Sequence, residues 1–147
     1  MTVETEVAEA PEQGPRPPRR GADLAIRIVG AVLAVAAALL TATLELFLST
    51  LRVGGVLIWV SVLLAAVANW ALAWFATGTV ARGWAVGLPW AAWTLVMFTA
   101  AGTRTAEGDY LVAGDDWVAL GTILVGSLTF AVYVYRGIVR GPSVTKS

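Results

Sequence analysis

Two residue types are missing from this chain altogether, cysteine and histidine. Without cysteine there is no disulfide and no thiol chemistry, and the redox compartment goes unmarked. Without histidine the commonest general base and the commonest metal ligand are gone. Any chemistry must then run on carboxylates, hydroxyls, arginine or backbone. Charge is scarce as well: Asp, Glu, Lys and Arg make up 14% of the chain, against about 25% in a soluble domain. Ten Lys and Arg balance ten Asp and Glu, so a nucleic-acid partner has no electrostatic support. No nucleophile, base and orienting group assemble into an enzyme site, and no cofactor is implied.

What the chain has in quantity is apolar length. Of its 147 residues 58% are hydrophobic, in four blocks each close to the roughly 20 residues that cross about 30 Å of hydrocarbon. The expected fold is an all-α membrane protein, with four transmembrane helices in an up-down bundle at about 23–49, 56–76, 84–101 and 117–135. Together they form one transmembrane domain, 22–139, with an acidic outer loop at 102–116. Residues 1–21, with Glu4, Glu6, Glu9 and Glu12 among Pro11, Pro15, Pro17 and Pro18, are expected to be a disordered cytoplasmic tail, because they hold too little apolar surface to fold. The stretch PRPPRR reads as a solvated spacer rather than a ligand for a proline-binding groove. A cleaved signal peptide is not expected, since the start is long and acidic and the first apolar run exceeds about 15 residues. Residues 140–147 form a short second tail.

Orientation follows from the basic residues. With the N-terminus inside, Arg16, Arg19, Arg20, Arg27, Arg82, Arg136, Arg140 and Lys146 lie on the inner side, and Arg52 and Arg104 on the outer. The positive-inside rule then makes both termini cytoplasmic, in a multi-pass protein of the plasma membrane. Trp59 and Trp117 fall at the outer interface and Trp74, Trp84, Tyr133 and Tyr135 at the inner one, where aromatic rings anchor.

Small residues mark the faces where membrane helices approach closely. Segment one carries Gly30, Ala34, Ala38 and Ala42 at a spacing of four, and at about 100° per residue Glu45 falls inside their arc. Segment two repeats the device with Ser61, Ala65, Asn69 and Ala73, and segment three offers Gly83, Gly87 and Ala91. These faces predict packing within the bundle, or against another membrane protein or a second copy, with the lipid bilayer around them.

Two polar positions stand out. Glu45 is the only acid inside an otherwise uncharged membrane-length run, and an ionisable residue there is a functional candidate because its insertion costs free energy. It lies near the outer level, where Arg52 and Arg104 are the basic groups. An ion pair clamping the outer turn, a proton- or substrate-coupled carboxylate, and exposure to headgroups are the three readings. Asn69 sits nearer the inner end, too far along the axis to touch Glu45, and predicts an interhelical hydrogen bond or a part in transport. In the outer loop Glu107, Asp109, Asp115 and Asp116 outnumber Arg104. Four carboxylates suggest a hard cation such as calcium, but their spacing matches no EF-hand loop. Asp115 and Asp116 directly before Trp117 suit a helix N-cap instead, and no metal site is expected.

With these residues placed, the chain resembles an uncharacterised actinobacterial family of small four-helix integral membrane proteins. The resemblance rests on Glu45 with the LRVGG turn (Leu51 to Gly55), on Asn69, and on EGD (Glu107 to Asp109) with GDDW (Gly114 to Trp117). It implies a membrane location and the four-helix topology, and carries over no activity, substrate or catalytic residue. Small multidrug exporters also have four helices and a glutamate in the first. Theirs sits mid-helix in a protein that inserts both ways round, whereas Glu45 is near one end and the basic bias here is one-sided. The reading that follows is a non-enzymatic structural or accessory subunit of a membrane. The alternative is a small transporter or ion-conducting oligomer that uses Glu45.

Overall fold

The computed structural model describes residues 20–53, 56–57, 59–104, 108 and 116–141. Within them the fold is helical: α1 Arg20–Ser49, α2 Val60–Val80, α3 Gly87–Gly102 and α4 Trp117–Val139, with a 3₁₀ turn at Gly83–Val86 leading into α3. Between α1 and α2 a tight antiparallel pairing joins β1 (Arg52–Val53) to β2 (Val56–Leu57). Most of the expected N-terminal tail, all but two residues of the short C-terminal tail and most of the acidic loop lie outside the described residues.

Four helices, counting 83–102 as one, are long and apolar enough to cross a membrane. Helix is the conformation such segments must take, because hydrocarbon offers no partner to an unpaired backbone N–H or C=O. α2 stops at Ala81, whose backbone turns left-handed (φ 55°) and whose N–H bonds back to the Thr77 carbonyl. The 3₁₀ turn before α3 accommodates Pro89, which has no N–H to give the first α-helical turns. α4 begins at a side-chain cap, with Asp116 Oδ1 accepting from the Ala119 N–H at 3.1 Å. That is the capping role expected of the GDDW stretch.

Helix directions follow from the contacts. Gly30 near the start of α1 lies against Thr79 near the end of α2, where an added Cβ would stand 2.6 Å from the threonine side chain. α1 and α2 are therefore antiparallel. α2 and α4 run the same way, joined by Ser61 to Thr122 at one end (3.0 Å) and Thr77 to Tyr133 at the other (2.9 Å). Trp59 and Trp117 meet edge to face at the first of these ends, 4.4 Å between ring centres.

The packing order is α3–α1–α2–α4. α1 packs mainly on α2 and α3, α2 on α4, and α3 touches α4 only lightly. The inward face of α1 is Gly30, Ala34, Ala38, Ala42, Glu45 and Ser49, the small stripe with its acid. Ser61, Ala65, Asn69 and Ala73 are likewise buried on α2. Segment three departs from expectation. Gly83, Gly87 and Ala91 face outward, and the buried positions of α3 are Pro89, Trp93, Met97 and Ala100. The reason is volume. A face of alanines on α1 leaves room opposite, and dense packing requires large side chains to fill it. Trp93 and Met97 do so in a core with Ala38, Ala42, Leu72 and Phe130.

Candidate functional site: a buried carboxylate held by an indole

Glu45, Trp93 and Asn69 are each 0% exposed. They come from three helices and meet around one ring. The Trp93 indole Nε1–H donates to Glu45 Oε2 at 2.8 Å, the one hydrogen bond this carboxylate makes among the described residues. The opposite edge of the ring presses on Gly126 of α4. A Cβ at Gly126 would collide with Trp93 Cζ2 and Cη2 and stand 2.8 Å from Asn69 Nδ2. Phe130, one turn along α4, holds the ring from the side, 6.3 Å between centres. Trp93 thus wedges between the helices. Its polar edge serves α1 and its apolar edge fills the gap left by a glycine on α4.

Trp93 bonds Glu45 by one edge and lies with Asn69 beside Gly126 by the other. Asn69 does not make the interhelical hydrogen bond expected of it. Neither its Oδ1 nor its Nδ2 has a partner among the described residues, and the same holds for Glu45 Oε1 and Thr94 Oγ1. The physical reason lies in the neighbours. Asn69 Nδ2 lies beside Gly126, where the apolar edge of the Trp93 ring takes up the space.

The basic candidates stand elsewhere. Arg52 is exposed in β1, beyond the end of α1, and Arg104 is exposed just past the end of α3. Among the described residues the ion pair is Asp23–Arg27, 2.9 Å, four residues apart on α1. Glu45 points into the bundle and meets the indole, not the arginine of the clamp reading or the headgroups of the exposed one, because its place on the alanine face aims it at α3 rather than at the outer turn. Asp116 is committed to its cap, and Glu107, Asp109 and Asp115 lie outside the described residues. Among the described residues no three acidic side chains converge as they would on a metal ion.

A second polar set ties α2 to α4. Ser61 Oγ and Thr122 Oγ1 share a buried hydrogen bond, and Thr122 also donates to the Val118 carbonyl. Tyr133 Oη and Thr77 Oγ1 share another. Trp93, Thr122 and Gly126 carry this architecture, yet none stood out as a site residue in the sequence. Trp93 did leave one signal. It sits in the middle of its segment rather than at an interface, and a buried tryptophan needs a partner for its N–H. Glu45, the one acid between Ile28 and Ser49, was the acceptor to look for.

What the arrangement does chemically is hold a carboxyl group out of water with a single donor. Comparison with known protein families, with curated proteins and with solved structures finds no match, so the geometry of this cluster is what a functional reading rests on.

Proposed function

We propose that the chain is a multi-pass protein of the plasma membrane, an up-down bundle with both termini cytoplasmic, acting as a non-enzymatic structural or accessory subunit. The observation that carries this reading is the sealed core. Glu45, Trp93 and Asn69 are closed to solvent, in a cluster that locks α1, α3 and α4 together rather than lining a passage. Large apolar side chains turn outward along every helix, among them Leu40, Phe47, Leu63, Val67, Leu95 and Leu124, as a lipid-facing surface requires. The basic residues set the orientation by the positive-inside rule. Membership of the actinobacterial family of small four-helix membrane proteins belongs to the same proposal. The partner is another membrane protein or a second copy of this chain.

A second reading has its own support. Among the described residues Glu45 Oε1 and both polar ends of Asn69 are buried without partners. Such groups cost free energy in an apolar interior and mark ion or proton pathways in membrane proteins. On this reading the chain is a small transporter or ion-conducting oligomer, and the sealed core is its closed state.

Isolation of the tagged protein after mild solubilisation separates the two. A membrane protein recovered at constant stoichiometry supports the accessory role. A chain recovered alone that carries protons or ions in reconstituted vesicles, with Glu45→Gln abolishing the flux, overturns it in favour of transport.

A further inference from the structure

At the end of the bundle where α2 and α4 finish, a groove of about 400 Å³ opens between them, lined by Trp70, Trp74, Thr77, Tyr133, Arg136 and Arg140. Its construction is specific. Trp70 and Trp74 stand one turn apart on α2, and Arg136 and Arg140 one turn apart on α4. The Tyr133 ring meets Trp70 edge to face at 5.1 Å, and its hydroxyl bonds to Thr77. The Arg136 guanidinium lies over the Trp70 ring, 5.4 Å from its centre. That cation–π contact holds the side chain in place while leaving the guanidinium N–H fork open. Among the described residues neither arginine has a carboxylate partner.

The geometry points to a binding site for the phosphate of an anionic phospholipid, drawn from the surrounding leaflet. An arginine fork matches phosphate oxygens in shape and charge, and two of them here face one cleft with no acid paired to them among the described residues. Below the cleft α2 exposes Leu63 and Val67 in line with Trp70 and Trp74, a track along which acyl chains can lie while the headgroup sits at the arginines. Basic pockets between helices at the cytoplasmic level hold anionic headgroups in this manner. The inference rests on the membrane reading above, and on the positive-inside orientation that puts this end in the anionic leaflet.

The test is native mass spectrometry of the intact chain released from detergent containing equal amounts of phosphatidylglycerol and phosphatidylcholine. The wild type should retain phosphatidylglycerol in preference. Arg136→Gln and Arg140→Gln should each lower that preference about fivefold, the effect of one basic residue at a membrane surface. Arg82→Gln, an exposed arginine outside the groove, should leave it unchanged. If Arg136→Gln loses helical content, Arg140→Gln alone decides. No preference in the wild type, an equal loss in Arg82→Gln, or displacement of the lipid by millimolar sodium phosphate would each overturn the site. A chain that stays in bilayers yet shows no preference leaves the membrane reading standing and removes only the lipid site.

Discussion

Replacing Trp93 by Phe removes one N–H and part of a ring, and leaves the Glu45 carboxyl buried with no donor. Leaving a buried polar group unpaired costs about 1–3 kcal/mol, and the smaller ring adds a cavity cost. Glu45→Gln is milder, because the amide still offers an oxygen to the indole, so we expect a change within about 1 kcal/mol. Glu45→Leu combined with Trp93→Phe should cost less than the sum of the two single changes, since the double variant leaves neither partner stranded. Equilibrium unfolding in mixed micelles measures all four. Strict additivity would mean that the hydrogen bond seen between them contributes nothing. A Glu45–arginine clamp would have shown its coupling with Arg52 or Arg104 instead.

Helix packing depends on which glycines face a neighbour. Gly126 on α4 meets the Trp93 ring and Asn69 together, whereas Gly78 on α2 has nothing within 4 Å of where a Cβ would stand. Gly126→Ala should therefore destabilise by about 1–3 kcal/mol through overpacking. Gly78→Ala should be neutral or stabilising by about 0.5–1 kcal/mol, because alanine loses less conformational freedom in a helix. Equal effects of the two would contradict the wedge. The contrast also explains why α3 could not be read from its small residues. In an alanine- and glycine-rich chain a stripe at spacing four arises by chance on any face, and Gly83, Gly87 and Ala91 turned out to be exposed. The stripes on α1 and α2 each enclose a polar residue. Burial of that residue selects the face, and both stripes are buried.

For the whole molecule, sidedness is the property with the most consequences, since it decides which leaflet the arginine groove faces. The chain has no native cysteine, so single cysteines report cleanly. Thr103→Cys lies just past α3, and Gly83→Cys lies in the link before it, and both positions are exposed. On intact cells a membrane-impermeant maleimide should label the first and miss the second, which should react only after permeabilisation. The reverse pattern would invert the bundle and move the groove to the outer leaflet. The open side between α3 and α4, with a cleft of about 490 Å³ framed by Val86, Trp90, Phe130 and Val134, belongs to this scale too. It exists because Trp93 spans the gap at one level while the helices on either side touch little.

The sequence by itself determined the four membrane-length helices, the inward faces of the first two and the cap at Asp116. Each is a local or one-dimensional property: apolar run length against bilayer thickness, the 3.6-residue period, and an acid directly before a helix. It left open which groups meet across the bundle, because that depends on how helices far apart in the chain are rotated and raised against one another. Glu45 had two arginines near its level, and its position on α1 could not say that α3 would bring an indole nearer than either. Asn69 was legible as buried but not as lacking a partner among the described residues, since it lies beside a glycine of α4 and near a tryptophan 24 positions on. Only the tertiary structure decided these pairings, because packing a large ring against a face of alanines is a matter of volume in three dimensions, which no spacing along the chain records.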